Sequence, residues 1–359
     1  MNQELRKLIE TIARIPAPTG KEQARAEYLR RYLTAIPSRT DPAGNLWVFP
    51  TGEADWRDSL VFDAHLDVVG AGVARTVEER DGRLYGPGVA DNVAAVAMLA
   101  HLSRQIAAGH LVCGAPMRIV FSVCEEGLGN LAGVRRIVAD HPEPPHLFVA
   151  WDLSYDVYST SSVGSQRYQL HIDGDGGHSW NDFGNPNAAQ ELVRLLAAVQ
   201  TEYHRFYATL EDTLTFNIGT IAAGEGINSL AREARASFEF RGLTQQALTA
   251  MEVRLRRVLE AADPRVRVAL KTIGSRPAAK STLSTTTRAF IADLLKQVGI
   301  PAQDVPRSTN INIPLAAGWP AVCLGCCKSG SFHRPDEYLE LASLKYGWRL
   351  MTALAAGCP

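Results

Sequence analysis

The sequence predicts an α/β domain interrupted by an inserted α+β domain of the ferredoxin-like kind. Three observations carry that reading. At 359 residues the chain exceeds one ordinary core and suggests about two domains. Up to about Ser165, and again from about Pro277, helical periodicity alternates with short continuous apolar runs, the pattern of strands covered on both faces. Between those points the strands alternate apolar with polar residues, which leaves one sheet face open.

Residues 2–14 and 20–35 read as helices, separated by Pro16, Pro18 and Gly20. Strands follow at 59–64 (SLVFDA), 117–124 (MRIVFSVC) and 147–151 (LFVAW), with helices at about 92–107 and 130–140. That rhythm gives a layered α/β class. Past Ser165, the strand 167–173 places Tyr168, Leu170 and Ile172 on one face, and a helix opens at Pro186. Strands at 213–222 and 232–241, a helix at 245–261 and a strand at 265–271 complete a β-α-β-β-α-β order, the split βαβ arrangement. The α/β rhythm returns with a helix at about 285–298, a strand at 321–324 and a closing helix at 341–356. The expected domains are therefore 1–165 with 273–359, and an insert of 166–272 that two chain crossings would make a hinged lid.

Composition narrows the function classes. The chain is 46% hydrophobic and 21% charged, and 37 basic residues nearly cancel 38 acidic ones. Neither a nucleic-acid backbone nor an anionic membrane is favoured as partner, since both call for a basic excess. The amphipathic N-terminus has no apolar signal region. The charge-free stretch from Ser308 to Cys327 carries Pro314, Pro320 and several Gly and Asn residues, so it reads as buried strand and loop rather than a membrane span. Six cysteines in a chain this long make no disulfide scaffold, and a cytoplasmic location is expected. Cys323, Cys326 and Cys327 read as small buried hydrophobes, because no second motif completes a structural zinc site.

The informative residues stand at strand ends, where open α/β sheets bind ligands. The first strand ends in Asp63-Ala64-His65-Leu66-Asp67, the second in Cys124-Glu125-Glu126, and the third in Trp151-Asp152. A Gly/Pro loop, Tyr85-Gly86-Pro87-Gly88-Val89-Ala90, delivers Asp91 to the start of an apolar helix, and His333 follows a strand near the C-terminus. Singly, each has an ordinary structural explanation, such as a cap or a solvated loop. Together they crowd carboxylates that resist joint ionisation unless cations sit among them. Mixed His and carboxylate ligands suit Zn2+ better than Mg2+ or Ca2+, and one bridging carboxylate would hold two ions about 3.5–4 Å apart. GxSxG, Walker A and GxGxxG motifs are absent from the sequence.

The segments PAPTGKEQARAEYL, FDAHLDVV, GRLYGPGVADN, CEEGLGN, FVAWD, GGHSWNDFGNPNA, EGINSLA, STNINIP and FHRPDE resemble the M20 family of zinc metallopeptidases and amidohydrolases, over nearly the whole chain. GPGVADN and GGHSWNDFGNPNA are most similar to its peptidase T-like, di/tripeptidase branch. The resemblance implies a mixed-sheet zinc-peptidase catalytic domain with an inserted ferredoxin-like lid that also forms a homodimer. It implies two Zn2+, with Co2+ or Mn2+ as alternatives, held by His65, Asp91, Glu126, Asp152 and His333, with Asp91 bridging. Asp156 is the alternative to Asp152.

Asp67 would orient His65. Glu125 would act as general base on a metal-bridging water. His178 would reach the opposite subunit's site and stabilise the oxyanion, and Asn228, Arg241 and Asn310 would contact the substrate. Asn310 stands where relatives often carry Asp. The implied reaction is hydrolysis of a peptide or amide bond in a small peptide or amino-acid conjugate. An N-acyl-amino-acid deacylase and a non-catalytic peptide- or amino-acid-binding protein are the alternatives.

Overall fold

A computed structural model describes residues 2–69 and 76–357. The chain divides into two compact units: residues up to Ser162 together with those from Lys280 onward, and Val163–Ala279.

The first unit is built on an eight-stranded mixed sheet. Its order is Ser38–Thr40, Leu46–Val48, Met117–Ser122, Leu60–His65, Leu147–Trp151, Ala321–Leu324, Val157–Ser159 and Gln303–Asp304. The four central strands, Met117–Ser122 to Ala321–Leu324 in that order, run parallel. Every residue in them is buried. Alternate residues point to opposite faces, so burial of both sets means that both faces are covered, as the unbroken apolar runs predict. Leu60, Phe62, Ile119, Phe121, Val149 and Trp151 share one core with the helices Asn2–Ala13, Ala94–Ala107, Thr285–Gln297 and Leu344–Gly357.

Some segments differ from expectation. The stretch 308–327 holds a short helix, Asn312–Ala316, as well as the strand. Pro314 falls within that helix's first turn, where a missing N–H costs nothing. A second small sheet joins Ser329–Gly330, Tyr338–Glu340, Arg83–Tyr85 and Glu78–Arg80. Strands of two or three residues have no periodicity to read.

The second unit carries a four-stranded antiparallel sheet in the order Leu214–Ala223, Glu233–Gly242, Gly164–Asp173, Arg267–Arg276. Helices Ala188–Tyr207 and Gln245–Glu260 cover one face of it. Tyr168, Leu170 and Ile172 are buried against Ala236, Phe238 and Phe240, while Arg167, Gln169, His171 and Asp173 face the other side, intermediate or exposed. The helices start at side-chain caps. Asn187 accepts from the N–H groups of Ala189 and Gln190, and Thr244 accepts from that of Ala247.

Candidate metal centre

Each strand end and the Gly/Pro loop deliver a polar side chain to one cluster in the first unit, buried apart from the half-exposed His333. Asp91 stands at its middle. Its Oδ1 is 3.0 Å from His65 Nε2, and its Oδ2 is 3.2 Å from His333 Nε2. Asp152 Oδ2 lies 4.0 Å from the same His65 nitrogen, and Glu126 Oε1 lies 3.0 Å from the same His333 nitrogen. Two ligand sets result, His65/Asp91/Asp152 and Asp91/Glu126/His333, each with donor atoms within 4.8 Å of one another and both containing Asp91. His65, Glu125 and Glu126 form a third such group. Asp152, not Asp156, sits beside His65; Asp156 lines a separate cavity with Lys328.

The charges conflict unless something positive is shared among them. Burial disfavours the His65 cation, but Asp67 and Asp91 outweigh it and raise the imidazole well above its ordinary value. Burial also opposes ionisation of Asp91, yet His333 and His65 hold it below the usual carboxylate range. Burial pushes Glu126 up to about 7, with Asp91 and Glu125 adding to the shift against His333. Burial and then Asp91 raise Asp152 well above its ordinary value. Hydrogen bonds to Asp91 and Glu126 push His333 up to about 11. His65 Nε2 and Asp91 Oδ1 are buried, and despite their 3.0 Å separation neither has a hydrogen-bond partner. Buried donor atoms aimed at one another without a hydrogen bond fit metal ligands better than a structural ion pair.

The surrounding carboxylates hold the ligand-bearing loops. Asp67 is fully buried and accepts from the N–H groups of Glu125 and Glu126 at 3.0 and 2.9 Å, and from Thr19 Oγ1 at 2.9 Å. His65 Nδ1 lies 3.0 Å from the Asp67 carbonyl oxygen and 3.5 Å from its Oδ1, so both main chain and side chain of Asp67 face the ring. Burial alone would raise Asp67, but His65 and the two N–H groups keep it below the ordinary carboxylate value. Glu22 accepts from the N–H groups of Gly20 and Cys124. Asn92 donates to the Trp151 carbonyl at 2.7 Å, tying the Asp91 turn to the end of the strand Leu147–Trp151, next to Asp152. Cys124 and His333 both adopt left-handed backbone, with φ of 58° and 61°. That conformation costs non-glycine residues about 1–3 kcal/mol and persists where neighbours impose it. A cavity of about 160 Å3 opens at Asp91 and His333, lined also by Pro87, Arg334 and Pro335.

A model of the family described as Peptidase family M20/M25/M40 matches residues 61–357, which include every residue of the two ligand sets. The chain belongs to this family. As an M20 protein it is an enzyme, a hydrolase of peptide or amide bonds. A succinyl-diaminopimelate desuccinylase of Bordetella petrii is 26% identical over 80% of this chain and 79% of its own length. The match to the desuccinylase of Burkholderia ambifaria (strain MC40-6) is 27% identical and spans 60% of this chain but only 61% of that protein. Among solved structures, a tripeptidase of Staphylococcus aureus superposes with a TM-score of 0.80 over 99% of this chain and 98% of its own, at 18% identity. A dinuclear metal-binding M20 peptidase of Bacillus subtilis superposes with a TM-score of 0.67 over 99% and 97%, at 16% identity. Among the described residues, no helix is long and apolar enough to cross a membrane.

The remaining expected site residues of this M20 hydrolase fall elsewhere. Asn310 is 2% exposed, and its amide nitrogen donates to Asp63 Oδ2 and Ser122 Oγ at 2.7 and 2.9 Å. Its amide nitrogen is thus bound in the interior, while its Oδ1 is buried without a hydrogen-bond partner. His178, Asn228 and Arg241 belong to the second unit. His178 is exposed on a two-residue strand that pairs with Ser229–Leu230. Its Nδ1 accepts from the N–H groups of Trp180 and Asn181 at 3.2 and 3.3 Å, which leaves the proton of the neutral ring on Nε2. Arg241 donates from Nε to Glu239 at 2.7 Å, and Glu239 also accepts from Arg167 at 3.1 Å. The three buried cysteines Cys323, Cys326 and Cys327 belong to none of the ligand groups found among the described residues.

Proposed function

We propose that this M20 hydrolase cleaves the amide bond of a small peptide or N-acyl amino acid with two divalent cations, Zn2+ by the chemistry of its ligands. The observation that carries the reading is the placement of Asp91, whose two oxygens face His65 and His333, each histidine with a carboxylate of its own. His65, Asp152 and Asp91 would hold one ion, and Glu126, His333 and Asp91 the other. The dinuclear description of the Bacillus subtilis neighbour supports this stoichiometry. When bound, such ions neutralise the crowded carboxylates, acidify water and polarise a carbonyl.

The protein's own groups do the rest. Glu125, 5% exposed and fixed through its N–H by Asp67, takes a proton from the attacking water and returns it to the leaving nitrogen. His178 donates its Nε2–H to the developing oxyanion, the tautomer that its Nδ1 contacts favour. Arg241 and Asn228 receive the substrate's carboxylate end, for which a planar guanidinium is suited. Val163–Ala279 serves as the lid and as the dimer contact, so that His178 acts in the partner's site.

The desuccinylase relatives favour a second reading, N-acyl-amino-acid deacylation, which requires the same centre. Assay of the Zn2+-loaded enzyme on dipeptides, tripeptides and N-acetyl or N-succinyl amino acids separates the two. Turnover confined to acyl amino acids selects the second reading. Fully loaded protein that turns over nothing on the panel would contradict both.

A further inference from the structure

Glu337 carries a buried carboxyl group with no part in the chemistry proposed above. It is 2% exposed. Its Oε1 accepts from the N–H groups of Ala90 and Asp91 at 2.9 and 3.0 Å, and its Oε2 accepts from that of Gly88 at 3.1 Å. Its own carbonyl accepts from the N–H of Gly86 at 3.0 Å. The neighbouring Tyr338 pairs with Tyr85 across the small sheet. One residue thus binds the main chain of the loop 86–91 at successive points, four residues after His333.

The loop has no room to find another path. Gly88 has φ +72°, and a Cβ there would stand 2.3 Å from Val68 Cγ1. Burying a second carboxylate beside Asp91 is electrostatically unfavourable, and removing its N–H partners would make it more so. A hydrophobic plug or a neutral amide could fill the same space without that repulsion. A full carboxylate, by contrast, offers acceptors to three N–H groups at once and fixes the direction in which the Asp91 side chain leaves the loop.

We propose that Glu337 is a positioning residue that aims the Asp91 carboxylate so that its two oxygens serve two cations at once. This inference rests on the dinuclear reading above. A Gln at this position keeps the volume but turns an N–H donor towards a backbone N–H, so the loop must shift.

The test is titration of metal-free protein with Co2+, followed by calorimetry and by the visible absorption of the bound ion, for wild type, Glu337→Gln and Asp41→Asn. Asp41 is the control, because it likewise accepts from three N–H groups, those of Ala43, Gly44 and Asn45, but is in none of the ligand groups. Wild type should bind two Co2+ ions. Glu337→Gln should keep its far-UV circular dichroism, bind at least one ion about 10–100-fold more weakly and show an altered visible band. Asp41→Asn should match wild type in both. Unchanged Co2+ binding by Glu337→Gln, or equal weakening in Asp41→Asn, overturns the positioning role and leaves the dinuclear reading standing. Wild type that binds no Co2+ overturns both. If Glu337→Gln does not fold, Glu337→Asp, whose shorter carboxylate cannot span the three N–H groups, is judged by the same criterion.

Discussion

The carboxylate of Asp67 accepts the main-chain N–H of Glu126 at 2.9 Å, so one buried anion fixes the residue that reaches His333. The same carboxylate accepts the N–H of Glu125 and faces His65, so it supports a member of each ligand set without belonging to either. Asp67→Asn keeps the shape but loses an acceptor. It should weaken metal binding about 10–100-fold and destabilise the metal-free fold by about 1–3 kcal/mol. Metal titration beside chemical denaturation measures both. An unchanged metal affinity would place Asp67 outside the centre.

Glu125 and Glu126 are adjacent and equally buried, and Glu126 meets His333. Glu125→Gln should abolish turnover, by more than about 100-fold for loss of a general base, with metal content near wild type. Glu126→Gln should lose metal as well. Equal metal loss in the two variants would remove the division of roles.

Protons compete with metal in this site. In the metal-free protein His333 is pushed up to about 11 and Glu126 up to about 7, and His65 is raised too. Ligands bind cations only after losing those protons, so affinity should rise with pH through neutrality and binding should release protons. Calorimetry in buffers of different ionisation enthalpy reads the release directly. Stability of the metal-free fold runs the opposite way. The His333 value is raised above the ordinary 6.5, so its pairing with Asp91 stabilises the metal-free fold fully below that pH and is lost as pH climbs towards 11. The metal-free protein should therefore melt at lower temperature as pH rises across that window. A melting temperature flat or rising there would contradict the pairing.

His178 stands exposed, and its Nδ1 is taken up by main-chain N–H groups. If it acts across subunits, mixing His178→Ala with Glu125→Gln should restore activity through sites that combine one intact residue from each chain. Mixtures no more active than their components would confine His178 to its own chain.

The residues that the structure brings together, His65, Asp91, Glu126, Asp152 and His333, were legible in the sequence because most stand at an apolar strand end or after a Gly/Pro loop, where local pattern and chemistry coincide. Their supports were not. Glu337 binds the Asp91 N–H from 246 positions away, and Glu22 binds that of Cys124 from 102 away. Nothing in a local window marks such a carboxylate as buried or bonded. The bond from the Asn310 amide to Asp63 was hidden for the same reason, since its partner lies 247 positions distant. The strands of the second unit were readable from alternation, whereas the three-residue strand Arg83–Tyr85, which precedes the Asp91 loop, offered too few residues to show a period.

Metal content per chain, measured by elemental analysis for wild type and for Asp91→Ala after loading with Zn2+, bears most directly on the shared role of Asp91. Wild type should hold two ions, and the variant should retain fewer than one because both ligand sets lose a member. Two ions in Asp91→Ala, or none in wild type, would contradict the account.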